Sequence, residues 1–214
     1  MFAEIACYGQ DATFNDILTT IFVSSEEGVE CVALPSGFMG RVGDFLEHQK
    51  FAAVIDFPYG ISTTQVRLHE IILAIRQGAN LIDLVLNGSY LKEENWKKVE
   101  EDLKVCLTVC NQHDVILRPI LEYKLFSPKT VLKACEVLEK YSITTVINST
   151  GSIIDDPSDN AIICHSIQKN TTISVISCSN RITPKYFGIF MDMGIEGFRF
   201  TSSSIAKNIL SNGV

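Results

Sequence analysis

Four carboxylates in this chain of 214 residues fall where strand candidates begin or end: Glu4, Asp56, Asp83 and Glu122. Acids gathered at strand ends that point inward without a lysine counter-charge must protonate, reach water or hold a cation. Solvation is the plainer expectation and a divalent cation the sharper one, and no residue is assigned as a metal ligand. Two lysines sit near the same positions, Lys124 just past Glu122 and Lys185 at the start of a helix candidate. Both are expected as solvated loop amines, since nothing evident buries them and depresses their pKa. Ser203 and Ser204 open the last helix candidate, where hydroxyls and free N–H groups suit either an anion or plain capping. His48, His69, His113 and His165 fall on helix candidates or their ends, away from the strand tips.

The elements that must position these residues alternate along the chain. Thr144-Thr145-Val146-Ile147-Asn148-Ser149-Thr150-Gly151 reads as a buried strand running into a small polar turn, with a helix following from about residue 156. The same unit recurs throughout. Strands are expected over 2–8, 29–34, 51–57, 80–87, 115–122, 144–148, 172–178 and 197–202. Helices are expected near 13–28, 41–49, 63–77, 94–112, 128–141, 157–168, from 183 onward, and near 204–210, many opened by Ser, Thr or Asp and several by Pro. Phe14, Ile17, Leu18, Ile21 and Phe22 mark the buried face of the first helix, and Val66, Leu68, Ile71, Ile72 and Ile75 that of the third. Pro119 is a warning inside its strand, because it cannot donate to a ladder. Eight βα units joined by short loops predict an α/β fold, a single-domain TIM (β/α)8 barrel over 1–214, ahead of a doubly wound open sheet.

Composition narrows the function. A net charge of −7 argues against a nucleic-acid or anionic-membrane surface. No apolar run reaches the ~18–20 residues that span a bilayer, and Met1-Phe2-Ala3-Glu4 lacks the pattern of a signal peptide. Seven cysteines scattered through apolar segments suit reduced thiols in a cytoplasmic protein, and Cys106 and Cys110 have no partner pair at zinc spacing. With no Gly-x-Gly-x-x-Gly after the first strand, no dinucleotide or other cofactor is expected.

Phe57-Pro58-Tyr59-Gly60 followed by Thr63-Thr64, Gln77-Gly78-Ala79 with Ile82-Asp83-Leu84-Val85, Ile120-Leu121-Glu122, Lys133-Ala134-Cys135-Glu136, the Val146–Gly151 segment and Arg199-Phe200-Thr201-Ser202-Ser203-Ser204 together resemble, in order and spacing, the deoxyribose-phosphate aldolases. The resemblance implies a class I aldol reaction. A lysine amine forms an imine with an aldehyde and the iminium acts as electron sink for carbon–carbon cleavage. A second lysine lowers the pKa of the first, and an aspartate helps to move protons. Carried over position by position, the aspartate is Asp83, but the Schiff-base lysine falls at Ile147 and the helper lysine at Ile176. Neither isoleucine forms an imine, so the resemblance implies the scaffold of an aldolase without its nucleophile. Leu34 also departs from the family, which has asparagine there.

The same resemblance places a phosphate site at the turns after the last three strands, at Gly151, Ser152, Ser179, Asn180, Ser203 and Ser204. That site is partly eroded, because Ser179-Asn180 replaces a Gly-Gly and Thr201 a glycine. The reading is a degenerate homologue that holds a small phosphorylated sugar or aldehyde, and the family's habit of association implies a homodimer. The alternatives are an active aldolase using a displaced amine such as Lys124, and a non-catalytic scaffold.

Overall fold

The apolar runs resolve into eight parallel strands, each feeding a connection that returns outside the sheet. The computed structural model describes residues 2–9, 11–195 and 197–211. Met1, in the stretch read above for a leader, and the chain beyond residue 211, part of the 1–214 expectation, lie outside the described residues. Strands β1 (Phe2–Ala6), β2 (Cys31–Pro35), β3 (Lys50–Ile55), β4 (Leu81–Val85), β5 (Ile116–Ile120), β6 (Thr145–Ile147), β7 (Ser174–Ser179) and β8 (Gly197–Phe200) close into a barrel in sequence order. Helices α1 (Phe14–Glu26), α2 (Thr64–Arg76), α3 (Gly88–Lys92), α4 (Trp96–Gln112), α5 (Pro128–Glu139), α6 (Pro157–Asn170), α7 (Pro184–Asp192) and α8 (Ser203–Leu210) surround it. This is a TIM barrel, as the alternation predicts.

Two connections differ from expectation. No α-helix spans 41–49: Ser36–Arg41 and Gly43–Phe45 form two short 3-10 turns. Gly37, Gly40 and Gly43 weaken helix propagation there, and tight single turns need less of it. Helix α3 was not foreseen. Its five residues are too few for a periodic signal, and it depends on Asn87 Oδ1 accepting the N–H groups of Ser89 and Tyr90.

Two buried faces are also corrected. Val66 is 54% exposed, and the inward stripe of α2 is Arg67, Ile71 and Ala74. Phe22 is likewise exposed, at 61%, while Ile17 and Ile21 bury the core side of α1. Pro119 is accommodated. Leu121 N donates to Ile147 O of β6, so Pro119, two residues back on the same side, withholds its donor from that seam. Among the described residues the β5–β6 register pairs only Ile120 with Ile147.

Alternation puts every second strand residue in the lumen. Its apolar part comprises Ala6, Cys31, Ala33, Ala52, Val54, Val85, Ile120, Ile147, Ile176 and Cys178. Outward residues such as Val32, Phe51, Ile82, Leu117, Val146, Val175 and Phe198 join the helices in the larger core. Packing between sheet and helices fixes where the strand ends lie, and those ends carry the candidate site.

Candidate active site

Four charged side chains fill the middle of the barrel, each at most 3% exposed: Glu4 of β1, Asp83 of β4, Arg118 of β5 and Arg199 of β8. Arg118 Nε and Nη2 donate to Asp83 Oδ1 and Oδ2 at 2.7 and 3.0 Å, and its Nη1 donates to Glu4 Oε1 at 2.5 Å. Arg199 Nε and Nη2 donate to Glu4 Oε2 at 2.7 and 2.5 Å, and Nη2 also reaches Asp83 Oδ2 at 2.5 Å. Two carboxylates and two guanidiniums thus cancel in the buried lumen. Burial would raise the pKa of Asp83, but Arg118 and then Arg199 outweigh it and hold the carboxyl below its ordinary value. A carboxylate so engaged is a counter-ion and a poor proton carrier.

This network answers what becomes of the inward acids: Arg118 and Arg199 balance the charges of Glu4 and Asp83. Asp56 is handled the same way outside the lumen. The fully buried Arg67 donates from Nε to Asp56 Oδ2 at 2.9 Å, and also to Asp102, Gly60 O and Val85 O. Asp56 has a left-handed backbone (φ 58°), and its Oδ2 and Oδ1 accept from Ser62 N and Oγ, both at 2.8 Å. No cluster of His, Cys, Asp or Glu able to hold a metal occurs among the described residues. The arginines escaped sequence reading. The available signal was a charged residue at an inward position of an apolar strand, as in Ile116-Leu117-Arg118 and Gly197-Phe198-Arg199.

Beside the charged group lies the apolar layer to which the resemblance assigns the two lysine positions. Ile147 and Ile176 are direct register partners on β6 and β7, 0% and 3% exposed, and Ile120 is the partner of Ile147 on its other side. Burial pushes up the pKa of both lumenal thiols, Cys31 and Cys178, which makes them poor nucleophiles. Lys124 lies apart from the lumen, in a groove with Tyr123, Phe126, Pro128 and Ile162 between α5 and α6. Its Nζ donates to Asp159 Oδ2 at 2.7 Å, and that bond raises its pKa, opposite to what a Schiff-base amine requires. Lys185 is exposed at the start of α7.

Tyr8 and Phe57 roof the apolar layer. Their rings stack at 4.8 Å, and the Tyr8 hydroxyl accepts from Arg199 Nη1 at 2.7 Å. They line a pocket of about 310 Å³ at the carboxyl ends of the strands, together with Pro58, Gly151, Ser152 and Thr201. Gly151 is required on two counts: its φ is +76°, and a Cβ there would stand 2.6 Å from Thr201 Cγ2.

The residues expected to hold phosphate are largely engaged with one another. Gly151 N donates to Ser149 Oγ at 3.0 Å and Ser152 N to Thr150 Oγ1 at 3.1 Å. Ser179 Oγ donates to Asp155 Oδ1 at 2.9 Å and accepts from Arg181 N at 3.2 Å. Asn180 Nδ2 donates to Gly151 O at 3.0 Å. Glu122, left-handed at φ 47°, accepts from Ser149 Oγ at 2.9 Å and from Thr150 N at 3.1 Å and Thr150 Oγ1. Burial, against the hydroxyls of Thr150 and Ser149, raises its pKa. Ser203 and Ser204 are the first two residues of α8; its cap position is Ser202, whose Oγ bonds Ser204 Oγ at 2.7 Å. Ser202 and Ser203 open on a separate hollow of about 300 Å³ that Asp11 and Asp16 also line. The structure therefore brings Gly151 and Ser152 into the mouth pocket and leaves Ser179, Asn180, Ser203 and Ser204 outside its lining.

Comparison with known proteins adds sequence to this geometry. The model of a family described as DeoC/LacD family aldolase matches residues 6–157. Deoxyribose-phosphate aldolase of Mannheimia succiniciproducens is 37% identical over 102 residues, 48% of this chain and 45% of that protein. Its counterpart in Mycoplasmopsis pulmonis is 37% identical over 143 residues, 66% of this chain and 64% of that one. The chain thus spans less than two-thirds of the length of either relative. The solved deoxyribose phosphate aldolase of Aeropyrum pernix, described as a tetramer, superposes with a TM-score of 0.86 over 98% of this chain and 88% of its own. At 19% identity that likeness concerns the fold.

Proposed function

Because the chain belongs to the DeoC/LacD aldolase family, we propose that it is a member in which Schiff-base chemistry has been lost and a small-molecule site at the barrel mouth has been kept. The pairing of Ile147 with Ile176 in the lumen carries this reading. An aldolase of this type needs an amine there that is unprotonated near neutral pH. Two buried isoleucines supply neither the amine nor the second charge that would tune it.

Asp83 supports the same reading. Its three contacts from Arg118 and Arg199 suit a structural ion more than a group that gives and takes a proton. Rescue by Lys124 is the less favoured reading, since its ion pair with Asp159 keeps the amine charged and away from the lumen. The described cysteines are buried and unpaired, in keeping with a reducing compartment such as the cytoplasm. Self-association, expected as a homodimer, belongs to the same proposal, and light scattering after size exclusion decides it. The test of the main reading is a retro-aldol assay with deoxyribose 5-phosphate, read as acetaldehyde release beside an active family member. The expected rate is that of buffer alone. A rate removed by Lys124→Ala would overturn the reading in favour of a displaced amine.

A further inference from the structure

The hydrogen-bond directions at the mouth restrict what it can hold. Thr150 Oγ1 has one proton and donates it to Glu122 Oε2. Thr150 Oγ1 also lies 2.6 Å from Ser152 Oγ, so in that pair Ser152 must be the donor. The Ser152 hydroxyl thus spends its proton inward and turns only lone pairs outward. The Tyr8 oxygen accepts from the buried Arg199, so its hydroxyl is turned to the charged group beneath and its ring is what lines the pocket. Thr201, which lines the same pocket, has no side-chain hydrogen bond among the described residues. A ligand therefore meets an acceptor at Ser152, aromatic faces at Tyr8 and Phe57, and at Thr201 a hydroxyl free to donate or accept.

Charge points the same way. The pocket lining of Tyr8, Phe57, Pro58, Gly151, Ser152 and Thr201 holds no cation. Arg199, below Tyr8, is neutralised by Glu4 and Asp83. The N–H groups of Gly151 and Ser152 are occupied, and the carboxyl of Glu122 stands behind Thr150. The uncapped start of α8 opens instead on the neighbouring hollow, where an anion would meet Asp11 and Asp16. A phosphate monoester, which near neutral pH offers mostly acceptors and negative charge, finds an acceptor and no counter-charge here.

We propose that the mouth pocket binds a small uncharged polyhydroxylated molecule, of the class of free aldoses and polyols, with its hydroxyls on Ser152 and Thr201 and its apolar face against Tyr8 and Phe57. The size agrees, since about 310 Å³ lies at the lower end of small-molecule sites. This inference rests on the reading that the mouth is still a binding site, and it replaces the phosphorylated ligand by an unphosphorylated one.

Saturation-transfer NMR on the full chain with 2-deoxyribose, deoxyribose 5-phosphate and inorganic phosphate tests it. The expected result is transfer to 2-deoxyribose, with the 5-phosphate at least about tenfold weaker because like charge and unmatched acceptors oppose it. Ser152→Ala, on an exposed turn, weakens the neutral sugar by about threefold to tenfold, the worth of one hydrogen bond; Thr201→Val, which keeps the shape, does the same. Tighter binding of the 5-phosphate, no transfer to 2-deoxyribose, or transfer indifferent to both substitutions would each overturn the proposal. A covalent imine with either sugar would instead defeat the reading of lost chemistry, and intact mass separates that outcome from the binding result.

Discussion

Asp83→Asn is the substitution that most sharply separates a structural aspartate from a catalytic one. The change keeps the shape and removes the charge from a carboxylate that takes two bonds from Arg118 and one from Arg199. It leaves two guanidiniums against Glu4 alone, all at most 3% exposed. Breaking a buried ion pair from one side costs about 3–5 kcal/mol, because the orphaned charge stays dry. For a chain of this size that corresponds to a fall in Tm of roughly 10 °C. Removing the partner together with the charge, as Asp83→Leu with Arg118→Met, is expected to cost far less than the two single changes summed.

The pH dependence carries a sign. Asp83 has a depressed pKa in the fold, so its contribution is present above the ordinary carboxylate pKa of about 3.9 and is lost as pH falls through the lower folded value. Wild type therefore loses this share of its stability in acid, and Asp83→Asn shows a shallower acid loss. Urea unfolding followed by circular dichroism at several pH values measures both effects. A change under about 1 kcal/mol, or a gain in stability, would refute the assignment, since a carboxylate retained for chemistry is commonly held at the expense of stability.

Three other outcomes follow from the same geometry. Ile147→Lys places an amine among Ile120 and Ile176; a depression of about three pKa units corresponds to roughly 4 kcal/mol lost at neutral pH, yet the variant forms a borohydride-trappable imine with acetaldehyde, and its failure to do so would mean that the scaffold around the lysine position has also gone. Gly151→Ala sets a Cβ against Thr201 in left-handed backbone and is expected to lower stability by about 1–3 kcal/mol in denaturant titration; an unchanged midpoint would contradict the turn geometry. Glu122 has a raised pKa in the fold, so its share of stability is full below the unfolded value of about 4.3 and declines as pH rises through the folded one; Glu122→Gln removes that decline, and unfolding midpoints at about pH 5 and pH 8, the ends of the span in which maximal stability tends to lie, should converge relative to wild type.

Much of the barrel was legible because alternation and capping speak locally. Asn95, Ser127 and Thr183 each accept from a backbone N–H as caps, close to where the spacing begins their helices. The neighbouring isoleucines were legible through family pattern, and their register confirms that the two positions meet. What stayed hidden depends on partners far away in the sequence. Arg67 looks like a surface residue of an amphipathic helix until Asp56, Asp102 and the Gly60 and Val85 carbonyls surround it. Arg118 and Glu4, 114 residues apart, are joined only when the barrel closes. The 3-10 turns after β2 escaped for the opposite reason, since three glycines and a short apolar run leave no period to read.

The most direct test of lost Schiff-base chemistry is borohydride trapping of the wild-type chain. The protein is incubated with deoxyribose 5-phosphate or acetaldehyde, reduced, and weighed intact beside an active aldolase. The account predicts no substrate-dependent adduct on this chain while the control is labelled. A single-site adduct on a lysine, located by peptide mapping, would contradict it and return the protein to the working aldolases.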